Sequence, residues 1–339
     1  MPYSADSSLE TFVRELPKTE THLHMEGACP FELLQKLNPV KYAKPPLFWD
    51  DGFRYESFDQ FMELYGEYCS VFFTSANRYG EAAGIVLGNC WEQGCRYVET
   101  SFHLPVINFM EDDGPTVLEA IRDAAPPELE LRIFAGMCHN DYADEGKDLI
   151  EECLTWEGLD GIDLHGPEYI PLELWTADVW ARARQAGKFT KAHAGEFMGP
   201  DFMELVLDEL KVTRIEHGVR SVENPETVQR LVNDKVALDI CPISNLKLVV
   251  QGVASMSAHP IRQLFDAGVT VTINSDDPFF FGNRLSEEYY ALHQDLGFTL
   301  VELAQIAGNG FDVALLEENK RESFQNELAD FCNEEGLTA

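Results

Sequence analysis

The strongest constraint on the fold of this chain is a repeated alternation of short apolar runs with longer amphipathic segments. Segments between the runs, such as 172–186, 202–210 and 225–233, carry apolar residues at helical spacing. Eight strands that alternate with helices predict a closed parallel sheet with the helices outside, a (β/α)8 or TIM barrel, as one domain over 1–339. The runs that resemble buried strands are 18–25, 97–102, 131–138, 161–166, 188–195, 214–219, 237–244 and 269–276.

Four of these runs end in side chains that can bind a metal ion. An open doubly wound sheet is the alternative fold, but only a closed ring places the first strand beside the last and gathers all four segments at one mouth. The closed barrel is therefore favoured. The segments, from the first, fifth, sixth and eighth runs, are His22-Leu23-His24, His193-Ala194-Gly195-Glu196, Glu216-His217-Gly218 and Ser275-Asp276-Asp277-Pro278.

Two regions extend this basic pattern. The segment 38–88 is too long for a single connection and is rich in aromatic residues. We expect it to form inserted helices over the carboxyl-terminal mouth of the barrel, partly as a lid. The segment 300–339 is expected to form C-terminal helices. Its part 317–335 is acidic, but Phe324, Leu328 and Phe331 recur at helical spacing, which predicts a docked helix.

The charge of the chain argues against some classes of partner. Asp and Glu number 59 against 25 Lys and Arg, a formal charge of −34. Such a surface repels phosphate backbones and anionic lipids, so we expect no nucleic-acid and no membrane partner. No apolar stretch approaches the ~18 residues of a membrane span, and residues 1–10 do not resemble a signal peptide. We therefore expect a soluble, cytoplasmic protein, whose oligomeric state the sequence leaves open.

The eight cysteines are scattered and form no Cys-x-x-Cys pair. This usage is typical of a reducing compartment with buried thiols. It argues against a disulfide framework and against a zinc finger with cysteine ligands.

The candidate metal ligands come from three of the four segments. His22 and His24 lie two residues apart on a predicted strand, so both rings project to one face, the barrel interior. Two satisfied core histidines are the alternative, although buried rings without a metal need costly hydrogen-bond partners. His193 supplies a third nitrogen, and of the adjacent Asp276 and Asp277 one can bind metal while the other reaches a ligand. Three histidines, one aspartate and an open position for water describe a hydrolytic zinc centre.

Two further residues are candidates for proton transfer. Glu196 lies just past its strand, where it can face a substrate and donate a proton. His217 is either a fourth ligand or a base that orients the metal-activated water. Glu216 precedes His217 and is expected to point to the opposite face of the strand, in a structural role.

Taken together, these motifs resemble those of the adenosine/adenine deaminase family over about 16–311. The resemblance implies a (β/α)8 barrel that holds one zinc ion per chain, with His22, His24, His193 and Asp276 as its ligands. The motifs, in family order, are Leu16-Pro17-Lys18-Thr19-Glu20-Thr21-His22-Leu23-His24-Met25-Glu26-Gly27, Gly161-Ile162-Asp163-Leu164-His165-Gly166, His193-Ala194-Gly195-Glu196, His217-Gly218, Cys241-Pro242-Ile243-Ser244-Asn245 and Asn274-Ser275-Asp276-Asp277-Pro278.

The same resemblance implies how a purine is bound and deaminated. Glu196 would donate a proton to ring N1 while hydroxide activated by the metal attacks C6. His217 would accept the proton of the water and steady its oxygen. Asp277 would hydrogen-bond N7, and the backbone N–H of Gly166 would hold N3. Ammonia leaves and a 6-oxopurine remains.

The identity of the purine is less constrained. Conversion of adenosine to inosine is the first expectation, and the alternatives are conversion of adenine to hypoxanthine or deamination of an N6-substituted or otherwise modified aminopurine. Glu26, a substrate neighbour together with His24, stands where adenosine-specific members usually carry aspartate and adenine deaminases carry glutamate. His165 stands where alanine is common; it either contacts an unusual substituent or is structural.

Two other readings are less well supported. Another hydrolase of the amidohydrolase superfamily, such as a dihydroorotase-like enzyme, usually carries two metals bridged by a modified lysine, and no lysine ends the strand before Gly166. A non-catalytic nucleoside-binding relative would be expected to lose a ligand or Glu196, and none of these residues is lost.

Overall fold

The computed structural model describes residues 5–337, except for the side chains of 144 and 145, and forms an eight-stranded parallel barrel. Each strand pairs with the next in chain order. The prediction of a (β/α)8 barrel is confirmed. The prediction that residues 1–10 are not a signal peptide concerns in part residues 1–4, which lie outside the described residues. The strands are Lys18–Glu20 (β1), Cys95–His103 (β2), Glu130–Cys138 (β3), Gly161–His165 (β4), Phe189–Ala194 (β5), Arg214–His217 (β6), Ala237–Ile240 (β7) and Val271–Ile273 (β8).

Helices surround the barrel. Within residues 5–337, no helix is both long enough and apolar enough to cross a lipid bilayer. The α-helices are Ser7–Glu15 (α1), Phe31–Leu37 (α2), Phe58–Phe72 (α3), Ala76–Glu92 (α4), Gly114–Asp123 (α5), Asp144–Cys153 (α6), Leu174–Gln185 (α7), Pro200–Leu210 (α8), Pro225–Asp234 (α9), Pro242–Lys247 (α10), Ile261–Asp266 (α11), Pro278–Phe281 (α12), Leu285–Leu296 (α13), Leu300–Val313 (α14) and Glu318–Glu334 (α15).

The barrel closes through the segments that follow β1 and β8. Leu23 and Asp276 form an isolated parallel bridge. The backbone N–H of His24 donates to the carbonyl oxygen of Asp276 at 3.0 Å, and the N–H of Asp276 donates to that of His22 at 3.1 Å. The first and last strands are therefore neighbours, and the two hydrogen bonds between the segments that follow them involve three predicted metal ligands, His22, His24 and Asp276.

Several strands are shorter than predicted. The first ends at Glu20 instead of residue 25, and the eighth ends at Ile273 instead of residue 276. The seventh ends at Ile240 because Pro242, which cannot donate to a sheet, begins α10. The candidate ligands of the first and eighth runs consequently lie on irregular backbone just beyond the strands.

The inserted segment packs over the mouth through aromatic side chains. Phe61 of α3 stacks on Phe281 of α12 with ring centroids 5.6 Å apart, and Tyr65 stacks on Phe280 at 4.9 Å. The next helix, α4, packs against α5 and β2 as an ordinary barrel helix does. Movement of this segment as a lid stays a prediction.

The chain ends in the helices expected there. In α15 the side chains of Phe324 and Leu328 are buried. The ring of Phe331 lies 5.3 Å from that of Phe12 on α1. The acidic segment is thus docked on the barrel.

Below the mouth, the barrel interior holds a network of buried charges. The guanidinium of Arg214 forms a bidentate pair with Glu99 at 2.6 and 2.8 Å and a further ion pair with Asp239 at 2.6 Å. All three side chains are almost fully buried. Since they come from β2, β6 and β7, this network ties distant strands together.

Removal of the central cation of this network is expected to destabilise the fold. The Arg214→Met substitution leaves two buried carboxylates without it, which costs about 3–5 kcal/mol of unfolding free energy. Arg230→Met is the control, because Arg230 pairs with three carboxylates at the surface, and about 0–1 kcal/mol is expected there. Denaturant unfolding measures both losses, and equal losses would contradict the structural role of Arg214.

Candidate active site

Four side-chain donors converge on one point at the carboxyl-terminal mouth of the barrel. The Nε2 atoms of His22 and His24 lie 3.3 Å apart, as do those of His24 and His193. Asp276 Oδ1 lies 3.3 Å from His22 Nε2 and 3.4 Å from His24 Nε2. Ligands bound at about 2.0–2.1 Å around a tetrahedral zinc ion are about 3.3 Å from each other. The spacing therefore fits the coordination sphere of one such ion.

The second ring nitrogen of each histidine is held by the surrounding protein. The Nδ1 atoms of His22 and His193 each lie 3.1 Å from a main-chain carbonyl oxygen. Because a carbonyl only accepts, both Nδ1 atoms carry a proton, and Nε2 is the atom of each ring that is left to bind a metal. His24 Nδ1 lies 2.8 Å from the hydroxyl oxygen of Ser101, which can accept in the same way. The three rings are thus oriented as metal ligands need to be.

Two site residues have left-handed backbone. His217 has φ 66° and Asp276 has φ 64°, backbone angles that residues other than glycine rarely adopt. Such a conformation costs of order 1–3 kcal/mol and is kept where a functional geometry requires it. At Asp276 it ends the extended chain that follows β8 and turns the carboxylate toward the histidines.

The prediction that Glu216 points away from the site is wrong. Its carboxylate lies 2.7 Å from Lys191 Nζ and 3.0 Å from His193 Nδ1, inside the barrel. Regular alternation along β6 would therefore turn His217 outward. The left-handed backbone of His217 directs its ring back to the mouth, so both residues reach the site.

A chain of hydrogen bonds fixes the proton on His217. His259 Nδ1 accepts from the N–H of Ile261 at 3.2 Å, so His259 Nε2 donates to Asn245 Oδ1 at 3.1 Å. The amide nitrogen of Asn245 then faces Glu196 Oε1 at 3.1 Å and His217 Nδ1 at 3.2 Å. Burial holds the pKa of His217 well below its usual value. Its neutral ring therefore carries the proton on Nε2, which suits a donor to an oxygen better than a metal ligand.

Glu196 lies in an environment that favours the protonated acid. Burial, and next the negative charges of Asp276 and Glu168, raise the pKa of Glu196 well above its usual value. The carboxylate of Glu168 accepts hydrogen bonds from the backbone N–H groups of residues 196, 197 and 198 at 2.9, 3.0 and 2.6 Å. Glu168 thus holds the loop that carries Glu196 and also keeps a negative charge near it.

Asp277 is a second buried acid, and it requires a glycine beside it. A Cβ atom on Gly27 would lie 1.6 Å from Asp277 Oδ1, so only glycine leaves room for this carboxyl group. Burial, and next the charge of Asp276, raise the pKa of Asp277 well above its usual value. Asp277 Oδ1 has no hydrogen-bond partner among the described residues, although the carboxyl group as a whole is close enough to that of Asp276 to share a hydrogen bond with it. A protonated Asp277 can therefore donate to an acceptor on a ligand.

The nine residues predicted to form the site are all brought together. A cavity of about 430 Å³ lies at the mouth, a size typical of small-molecule pockets, and His22 lies behind it. Its outer wall is apolar and includes Phe58, Phe61 and Met62 from α3. The predicted residues that line the cavity are His24, Glu26, Gly166, His193, Glu196, His217, Asp276 and Asp277.

Sequence reasoning missed the residues that hold these groups in place. Ser244 Oγ donates to Asp276 Oδ2 at 2.6 Å, and Asp163 Oδ1 lies 3.3 Å from His193 Nδ1. Ser244, Asn245 and Asp163 stand inside motifs that carry the family resemblance, which was the available signal. Ser101 stands outside those motifs, and its hydroxyl contact with His24 becomes visible only in the folded barrel.

A (β/α)8 barrel with imidazole and carboxylate donors at its mouth is an arrangement typical of metal-dependent barrel hydrolases. The family model described as "Adenosine deaminase" matches residues 17–331. Adenine deaminase of Pseudomonas fluorescens is 32% identical over 323 residues, which cover 90% of this chain and 99% of that protein. The chain therefore belongs to the adenosine deaminase family, and the resemblance found in the sequence is confirmed.

Solved structures have the same fold. The crystal structure of an adenine deaminase from Arthrobacter aurescens matches with a TM-score of 0.82 and 24% identity, over 94% of this chain and 99% of that one. An amidohydrolase from Burkholderia ambifaria with bound zinc matches with a TM-score of 0.83 and 21% identity, over 99% of this chain and 97% of that one.

Loss of the carboxylate that holds the Glu196 loop should slow catalysis without removing the metal. Glu168→Ala leaves three backbone N–H groups without their acceptor, and the resulting displacement of Glu196 is expected to lower kcat by roughly 10²-fold. Glu168→Gln, which keeps one acceptor oxygen, should recover part of that loss. Steady-state kinetics with metal analysis make the test, and Glu173→Ala on the exposed surface is the control. An unchanged kcat would contradict this positioning role.

Proposed function

We propose that this protein is a zinc-dependent deaminase of a 6-aminopurine and that free adenine is its main substrate. The observation that carries this proposal is the convergence of three oriented histidines and Asp276 on one point, with the buried acid Glu196 facing the same cavity. Family membership and the names of the relatives support a deaminase.

Zinc suits the donors present. Three neutral imidazoles and one carboxylate, backed by hydrogen bonds, are a donor set typical of catalytic zinc. We infer that His22, His24, His193 and Asp276 hold one ion. When bound, zinc lowers the pKa of water and so supplies a nucleophile at neutral pH.

The surrounding residues account for the proton transfers. Protonated Glu196 would donate to ring N1, which makes C6 electrophilic. The Nε2–H of His217 would donate to the attacking oxygen; this supports the steadying part of its expected role more than the proton-accepting part. Protonated Asp277 would donate to N7, and the N–H of Gly166 would hold N3.

Adenine is favoured over adenosine, the first expectation from sequence. Two of the three proteins compared above, those of Pseudomonas fluorescens and Arthrobacter aurescens, are named adenine deaminases. In this chain Glu26 is buried, and its Oε1 already accepts hydrogen bonds from the Tyr79 hydroxyl and from the N–H of His103. We infer that Glu26 meets the N9 edge of the purine, where a free base has an N–H to donate and a nucleoside has a sugar.

The cavity is unsuited to a nucleotide. Among the described residues that line it there is no Lys or Arg. A phosphate group placed there would lose its water without gaining a cationic partner, which is costly. The apolar wall suits a neutral purine.

Replacement of the proton donor tests the chemistry. Glu196→Gln should keep the metal and lower kcat on adenine by at least ~10²-fold, because the amide cannot protonate N1. Since the protonated acid is the reactive form, the wild-type rate should also fall as pH rises through the pKa of Glu196. Kinetics and metal analysis are the measurements, with exposed Glu209→Gln as control. A wild-type enzyme inactive on every 6-aminopurine would refute the proposed function itself.

Shortening Glu26 tests the choice of purine. Glu26→Asp leaves space for a sugar and withdraws the carboxylate from the N9 edge, so the ratio of kcat/KM for adenine to that for adenosine should fall by ~10-fold or more. A panel of adenine, adenosine and N6-methyladenine, followed by ammonia release, measures the ratio. Glu32→Asp on the exposed face of α2 is the control, and a constant ratio would remove Glu26 from specificity.

A further inference from the structure

A second cluster of metal-binding side chains lies in the cavity wall and has no role in the deamination described above. His103, Cys138 and His165 stand at the ends of β2, β3 and β4. One donor atom from each lies within 4.8 Å of the other two. His103 Nδ1 and His165 Nε2 are 3.0 Å apart, close to the spacing of the histidine nitrogens at the first site.

The strand register and two glycines make room for this cluster. Cys138 and His165 are direct partners across β3 and β4, whereas the partner of His103 on β3 is Gly136. A Cβ atom on Gly136 would lie 2.5 Å from His165 Cε1, so glycine lets this ring cross β3 toward His103. A Cβ atom on Gly166 would lie 2.7 Å from Cys138 Sγ. Larger residues at these two positions would displace the donors.

One carboxylate lies behind both clusters. Asp163 Oδ1 is 3.3 Å from His193 Nδ1, and Asp163 Oδ2 is 3.9 Å from His165 Nδ1. The Asp163 carboxyl group is buried, and it also faces the carboxyl group of Glu216, with which it shares a hydrogen bond. A carboxylate behind the outer nitrogen of a metal-bound histidine is a recurring arrangement that orients the ring. Asp163 thus hydrogen-bonds to His193, whereas its distance from His165 is too long for a hydrogen bond and leaves an electrostatic influence on that ring.

We propose that His103, Cys138 and His165 form a second, weaker metal site for zinc or another divalent ion that favours nitrogen and sulfur ligands. Two imidazoles and one thiolate are the donor set that such ions prefer. Binding releases the thiol proton of Cys138 to solvent. Since all three side chains lie in the cavity wall, water could complete the coordination.

Occupation of this site would obstruct the purine. All three residues line the same cavity as Glu26 and Gly166, which are proposed to meet the substrate. An ion held there narrows the space for the base, so zinc in excess of one equivalent should inhibit competitively. The first equivalent supports activity and the second opposes it.

Cobalt provides a direct test, because a thiolate bound to Co²⁺ gives a sulfur-to-metal charge-transfer band in the near ultraviolet. The first site has no thiolate donor, since Cys241 Sγ lies 3.4 Å from the outer Nδ1 of His22. Titration of the metal-free enzyme with Co²⁺ should therefore give a first equivalent without the band and a second equivalent with it. Metal analysis counts the equivalents, and neither readout requires turnover.

Substitutions test whether the charge-transfer band comes from the cluster of His103, Cys138 and His165. Cys138→Ser should abolish it, and both Cys138→Ser and His103→Asn should weaken the second equivalent by at least ~10-fold. His103→Asn keeps the backbone N–H that Glu26 accepts. Cys69→Ser is the matched control, because Cys69 lines the cavity outside the cluster and its loss should leave the band unchanged.

Two outcomes would overturn the proposal. Binding of a single Co²⁺ without the band at any concentration would leave His103 and His165 as a hydrogen-bonded pair of rings. A band that survives in Cys138→Ser would place the thiolate elsewhere. Since the readouts are spectral and stoichiometric, failure here is distinct from failure of the proposed deaminase activity.

Discussion

The site depends on the backbone pairing that closes the barrel. The segments after β1 and β8 exchange hydrogen bonds between His24 and Asp276 and between Asp276 and His22. This pairing brings donors that are more than 250 residues apart in the chain to within hydrogen-bond distance of each other. Without closure, His22 and His24 would face an open sheet edge and Asp276 would have no reason to adopt its left-handed backbone. Closure of the barrel and the assembly of the proposed metal ligands thus depend on the same contact.

The polar groups gathered at this contact should make a bound metal ion stabilise the protein. Three histidine nitrogens and a carboxylate lie within a few ångströms of each other in a buried region, where unpaired polar groups are costly. A cation at the centre offsets that cost, because lone pairs that repel each other become ligands. The outer hydrogen bonds to each ring remain in place either way. The free energy of metal binding should therefore contribute directly to the stability of the mouth of the barrel.

Much of the fold followed from sequence because local patterns determine it. Eight apolar runs in alternation with helices specify a barrel, and the residues at their ends must then meet. The orientation of His217 and Glu216 could not be predicted, because it depends on the positive φ of His217, which no sequence pattern indicates. The hydrogen bonds that run from His259 through Asn245 could not be predicted either, because these residues are brought together only when the barrel closes.

His259 touches neither the cavity nor the predicted ligands, yet it determines which face of the Asn245 amide the centre meets. If the amide turned half a revolution, its oxygen would face Glu196 and the imidazole of His217. The acid would then gain a partner for its proton, and His217 would move its own proton to the opposite nitrogen. Which of the two groups donates a proton and which accepts one is therefore determined by a histidine that contacts neither of them and acts through Asn245.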